Sequence, residues 1–360
     1  MTTNTLPNKI RAAVLYQTDK PLQILELELP KLEVGQVLVK ILYSGVCRSQ
    51  LMEVRGGRGK DPWLPHMLGH EGSGEVIAVG DGVTKVQSGD SVILSWIKGE
   101  GIEAEVARYK SGDQVINSGH VTTFCNYSIA SENRVIKKPL GLSFDEAILF
   151  GCALPTGAGI ILNEMKPSTS ASVIILGLGG IGLSALMALK ASGIKNLIAL
   201  DVSEKKIAMA KSLGALHVLN TSDDNFLDVF NNILPEGADY CIESAGHAST
   251  IELGFSLIKK KSGELVFASH PHEGKMICLS PHELISGKKI SGSWGGSTKP
   301  DKDIELMYDM FKNAKIPLSS LITKKYQLEQ INEAIDDLES GRVFRPLIDM
   351  NHSENELNFS

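Results

Sequence analysis

Val173-Ile-Ile-Leu-Gly-Leu-Gly-Gly-Ile-Gly182 opens as a short apolar run and ends in closely spaced glycines. The run has the length of a buried strand, and the apolar residues from Ile181 to Ala191 continue as a helix. Gly177, Gly179 and Gly182 fit the pattern G-x-G-x-x-G, and Gly180 and Ile181 complete the turn. In such a turn the first glycine permits the sharp bend and the second admits a pyrophosphate against the backbone. The third lets helix pack on strand. Free N–H groups at the helix start, together with the helix dipole, attract phosphate. Asp201 ends the next apolar run, where a carboxylate accepts both ribose hydroxyls of a dinucleotide. The same charge repels a 2′-phosphate, and Val202 and Ser203 follow rather than an arginine, so NAD is expected over NADP. A glycine turn that only packs helix on sheet is the alternative.

Reading outward, strand and helix keep alternating. A helix is expected from Glu204 to Leu213, with Ser203 as N-cap and Gly214 as stop. Tyr240-Cys-Ile242 and Leu265-Val-Phe267 are further strands, with a helix near Ser249 to Ile258 between them. This rhythm predicts a doubly wound parallel sheet. Upstream, the first 155 or so residues read as short strands broken by Gly and Pro, such as Val37–Leu42, Gly74–Val79 and Ser91–Leu94. That pattern predicts an antiparallel or barrel-like unit. Residues 99–122 lack a clear period and read as a surface lobe. Beyond Thr298, helices are expected over Asp303–Asn313 and Leu328–Leu338.

Thirty-six Lys+Arg against 42 Asp+Glu give a net charge of −6, and no basic stripe is present, which argues against nucleic-acid binding. The five cysteines are odd in number and form no CxxC pair. With no signal-like apolar start, they point to a reducing compartment, and a cytoplasmic protein is expected. Residues 167–189 carry no charge and are long enough to span a bilayer. Their central glycines make strand, turn and helix the preferred reading.

Gly69-His-Glu-Gly-Ser-Gly74 lies between Cys47 and Cys152. Two thiolates and an imidazole make a three-ligand zinc set that leaves a fourth position open. Taken singly, each of these residues reads more simply as a core or surface residue. The run from Gly69 to Val83 fits G-H-E-x-x-G-x5-G-x2-V at every fixed position, and on it the chain resembles the zinc-dependent alcohol dehydrogenases, the medium-chain dehydrogenase/reductase family. The likeness runs from Ala12 to Ile348 and takes in Cys47-Arg-Ser49 and Gly151-Cys-Ala-Leu-Pro-Thr156.

The resemblance implies an α/β protein with a GroES-like β-rich catalytic domain over residues 1–157. A Rossmann domain over 158–298 would be inserted into it, and residues 299–360 would return to the catalytic domain. It implies Cys47, His70 and Cys152 as zinc ligands, with Glu71 as a carboxylate able to approach the metal. Ser49 would hydrogen-bond the substrate oxygen and relay its proton. Arg48 and Arg345 would grip the pyrophosphate, Lys206 would contact the ribose, and Thr156 would lie against the nicotinamide. Trp96 would wall the substrate pocket, with plain core packing as the alternative.

Three departures from the family pattern stand out. The stretch from Ser95 to Phe124 lacks the four cysteines of a structural zinc, so one catalytic zinc is expected. Gln50 replaces the Asp that orients the zinc-bound His, and Met52 replaces a relay His. The implied reaction interconverts an alcohol and its aldehyde or ketone, with zinc as Lewis acid and NAD as hydride carrier. A zinc-free quinone or enone reductase and a catalytically silent nucleotide-binding relative are the alternatives. A homodimer and a small-molecule substrate complete the expectations.

Overall fold

A computed structural model describes residues 6–351 of the chain. The chain divides into two units: one runs up to Cys152 and resumes over Lys299–Tyr308 and from Pro317, and the other comprises Ala153–Thr298 and Asp309–Ile316.

In the first unit, strands Lys9–Leu15, Gln23–Glu28, Arg108–Ser111, Gln114–Asn117 and His66–Met67 close into a barrel. A second sheet runs in the order Val135–Lys137, Ser91–Ser95, Glu71–Val79, Gln36–Gly45, Pro346–Asp349, Lys324–Tyr326. Tyr127–Ser131 also pairs with Gln36–Gly45. The C-terminal return is explicit in the register, since Leu347 and Ile348 lie opposite Gly45 and Ser44. Alternation fixes which side chains turn inward: in the barrel, Ile10, Ala12, Val14, Leu27, Tyr109 and Ile116 share one core.

The second unit is a six-stranded parallel sheet in the order His217–Asn220, Asn196–Asp201, Ser172–Leu176, Tyr240–Glu243, Glu264–Phe267, Lys289–Gly292. Counted along the chain this is the order 3-2-1-4-5-6 of the doubly wound dinucleotide fold, with its switch point beside Ser172–Leu176. All five residues of that strand are buried, which explains an apolar run without alternation. Helix Gly180–Ala191 follows the glycine turn, so the uncharged stretch 167–189 is strand, turn and helix. No single helix among the described residues is long and apolar enough to cross a membrane.

Several expectations shift. The division expected after residue 157 falls between Cys152 and Ala153, because helix Ala153–Gly159 packs within the second unit. A Cβ on Gly157 would meet the Ala185 amide at 2.8 Å, so helix Gly180–Ala191 is in backbone contact there. Asp309–Ile316 also groups with the second unit rather than with the C-terminal return. Residues 99–122 are not a plain lobe, for they contain the hairpin Arg108–Ser111/Gln114–Asn117 that completes the barrel. Strand His217–Asn220 and helix Phe226–Ile233 were not anticipated. The C-terminal helix begins as a 3₁₀ turn, Leu328–Gln330, before Ile331–Glu339.

Candidate active site

Cys47 ends the loop after strand Gln36–Gly45 and precedes helix Arg48–Val54. His70 stands between Gly69 and strand Glu71–Val79. Gly69 has φ +91°, and a Cβ there would meet Thr123 Oγ1 at 2.5 Å, so only glycine delivers His70 in this direction. Cys152 closes the 3₁₀ turn Ile148–Gly151. The ligand atoms of Cys47, His70 and Cys152 lie within 4.8 Å of one another.

The donor chemistry fits zinc. Nε2 of His70 is buried with no hydrogen-bond partner, a costly state for a ring nitrogen unless a ligand takes it. The two Sγ atoms are 3.8 Å apart, and sulfurs each about 2.3 Å from a tetrahedral ion stand about 3.8 Å apart. The hydrogen bond from Cys152 lowers the Cys47 thiol well below its ordinary range, with His70 and the Arg345 guanidinium acting in the same sense against burial. Cys152 is raised well above its ordinary range by that same bond, by burial and by the charge on Cys47.

Gln50 is buried, and its amide lies against Nδ1 of His70 with Nε2 towards the ring and Oε1 unpartnered. A half-turn of the amide puts Oε1 on an Nδ1–H and leaves Nε2 of His70 with its lone pair, the tautomer a metal needs. Glu71 is fully buried, and burial pushes its carboxyl up to about 7 although Arg345 pulls the other way. Its Oε1 accepts from Arg345 Nη1 at 2.6 Å, while Oε2 has no partner. Arg345, expected on a pyrophosphate, is thus buried and engaged by Glu71, with its Nε left unpartnered. Arg48 is exposed. Ser49 Oγ, one helical residue further on, is buried and unpartnered. Trp96 packs edge-on to His70 with ring centroids 6.5 Å apart.

In the second unit the glycine turn separates packing from ligand demands. A Cβ on Gly177, at φ +91°, would collide with the Ala245 backbone, and one on Gly182 with the Gly177 carbonyl. Gly179 is different: its φ is −83°, and nothing lies within 4 Å of an added Cβ. Neither conformation nor packing within the chain requires glycine there. A pyrophosphate approaching the backbone would. Gly180 and Ile181 form the first turn of the helix.

Asp201, expected at the ribose, holds the turn itself. Its carboxylate accepts from the amides of Leu178 at 2.7 Å, Val202 at 2.9 Å and Ser203 at 3.0 Å. Lys206 Nζ is 3.6 Å away. A carboxylate has about four acceptor sites, so capacity for a ribose hydroxyl remains. Thr156 is buried in helix Ala153–Gly159. Glu132 was missed at the sequence level. It is 1% exposed and accepts from the amides of Thr84, Lys85 and Ile102, pinning the loop where a structural zinc was not expected.

Residues 33–140 match the alcohol dehydrogenase GroES-like domain, and residues 180–313 match the zinc-binding dehydrogenase domain. The chain belongs to the zinc-dependent alcohol dehydrogenase family. It is 29% identical to an S-(hydroxymethyl)glutathione dehydrogenase from Synechocystis sp., covering 94% of this chain and 99% of that one. The similarly named enzyme of Paracoccus denitrificans is 27% identical over 94% of this chain and 99% of its own. Among solved structures, benzyl alcohol dehydrogenase from Acinetobacter calcoaceticus superposes with a TM-score of 0.85 at 27% identity, over 95% of this chain and 99% of that one. This dehydrogenase is therefore an oxidoreductase that interconverts alcohols and carbonyl compounds.

Proposed function

We propose that this alcohol dehydrogenase works with NAD and a single zinc per chain, held by Cys47, His70 and Cys152 with Glu71 as a transient ligand. The buried, partnerless Nε2 of His70 beside two sulfurs carries the assignment. When bound, zinc supplies a Lewis acid for the substrate oxygen and NAD a hydride acceptor. The unengaged Oε2 of Glu71 supports its role as a mobile ligand. Gln50 fixes the His70 tautomer. Ser49 Oγ would accept the substrate hydroxyl proton as it releases its own towards water. Met52 has no titratable group, so the path does not run through that side chain. Trp96 walls the substrate position.

Gly177, Gly179, Gly180, Ile181 and Gly182 cradle the pyrophosphate, with Arg48 and the remaining donors of Arg345 assigned to it. Asp201 and Lys206 take the ribose, and Thr156 the nicotinamide. The Asp201 charge supports NAD over NADP. A cytoplasmic setting is supported by five cysteines that are all free thiols. A homodimer is supported by the second unit's open edge strand, Lys289–Gly292. Exposed Met276, Ile285 and Trp294 lie nearby in sequence, and an unpaired strand with apolar neighbours is a ready pairing surface. Sedimentation as a monomer at working concentration would refute the dimer.

NADH-coupled assays over an alcohol and carbonyl panel, run in both directions, test the activity. Turnover that survives complete removal of zinc would reject this mechanism in favour of a metal-free reductase.

A further inference from the structure

Side chains of the first unit line a cavity of about 510 Å³. Gln50, His70 and Trp96 are among them, so one of the three candidate metal ligands, His70, borders the cavity. Arg58, Arg108 and Arg134 also line it. The sequence contains eight arginines, and three of them converge here from separate elements, while no lysine lines the cavity. Glu53 is the lone carboxylate in the lining, and Glu103 faces Arg134 from outside the lining, so Arg108 is left as the uncompensated charge of the three.

The three guanidinium groups differ in how they are engaged. Arg134 Nη2 is 3.2 Å from Glu103, and its side chain is mostly covered. Arg58 Nη1 is 3.6 Å from Glu53, a single loose contact. Arg108, exposed on the first residue of strand Arg108–Ser111, has no carboxylate partner among the described residues. Thr122 adds a buried hydroxyl without a partner to the same lining. A guanidinium offers a planar fork of donors matched to carboxylate or phosphate oxygens.

Resting on the dehydrogenase reading above, we propose that the substrate is an alcohol or carbonyl compound that also carries an anionic group, a carboxylate or a phosphate. Arg108 is its principal anchor and Arg58 its second. The reacting oxygen faces the metal-ligand cluster and the anion lies on the arginine side of the same cavity. Arg134 is already paired with Glu103 and is not an anchor.

The test compares zinc-loaded protein on alcohols matched except for charge: 4-(hydroxymethyl)benzoate against benzyl alcohol, and glycerol 3-phosphate against glycerol. NAD reduction gives kcat/KM, and calorimetry gives the affinity of each compound. The pairs separate a carboxylate preference from a phosphate preference. In at least one pair the anionic member should lead by about tenfold or more, and added salt should erode that lead. Arg108→Ala should lower the anionic-to-neutral ratio by about 10–100-fold, chiefly through KM, the effect of losing a charged hydrogen-bond partner. Arg108→Lys should restore part of it. Equal kinetics and equal affinities within both pairs would overturn the proposal, as would a ratio unmoved in the Arg58→Ala/Arg108→Ala double variant. If none of these alcohols were oxidised but anions bound in an Arg108-dependent way, the activity assignment would fall and the anion site would stand.

Discussion

Two groups of metal-capable side chains lie in the first unit. Each brings three ligand atoms within 4.8 Å of one another: Cys47, His70 and Cys152 in one, Glu53, Asp61 and His66 in the other. In the second group every member has a partner. His66 Nε2 is 2.8 Å from Asp61, its Nδ1 is 2.9 Å from the Met67 carbonyl, and Glu53 faces Arg58. In the first group His70 Nε2 is buried with nothing to bond, and Ser49 Oγ and Glu71 Oε2 are likewise unpartnered. Proximity is shared between the two. What separates a site from a structural cluster is donor capacity left open in a buried place.

The largest effect should come from breaking the open cluster. Cys152→Ser should lose its zinc and reduce kcat/KM by about 10³-fold or more, since a Lewis acid supplies several kcal/mol to the transition state. Atomic absorption and steady-state kinetics on the same sample check both. Next is Ser49→Ala, which should lower kcat by about 10²–10⁴-fold while zinc content stays unchanged. Pre-steady-state hydride transfer at the wild-type rate would remove Ser49 from the proton path.

Asp201 sharpens the comparison because it is nearly saturated and yet has capacity left. Asp201→Asn should narrow the kcat/KM preference for NAD over NADP by about tenfold, as the charge leaves. It should also lower thermal stability, because three amides depend on that carboxylate. The smallest effect belongs to the saturated group. His66→Asn should leave zinc content unchanged and lower Tm by about 2–8 °C, the range for one or two lost buried hydrogen bonds.

The same contrast explains what could be read from the sequence. The glycine turn was legible because strand, bend and helix start lie within ten residues, and Gly177 and Gly182 each have a packing reason within the chain. The proposed zinc ligands were legible only through the pattern around His70, since Cys47 and Cys152 are brought to it by separate elements. The hairpin Arg108–Ser111/Gln114–Asn117 was hidden because each four-residue strand turns a single fully buried side chain inward, Tyr109 or Ile116. That is too short a run for alternation to register. Strand His217–Asn220 is half-buried throughout and lacks the apolar run of its neighbours. Glu132 and the second role of Asp201 were hidden for another reason. Each accepts backbone amides from chain brought close by the fold, and a composition of Asp and Glu says nothing about which will be enclosed.

Metal content of the purified protein tests the central claim most directly. One zinc per chain is predicted for the wild type, still one in His66→Asn, and essentially none in Cys152→Ser. Two zincs per chain, or full zinc retention in Cys152→Ser, would contradict the assignment of Cys47, His70 and Cys152 as the single metal site.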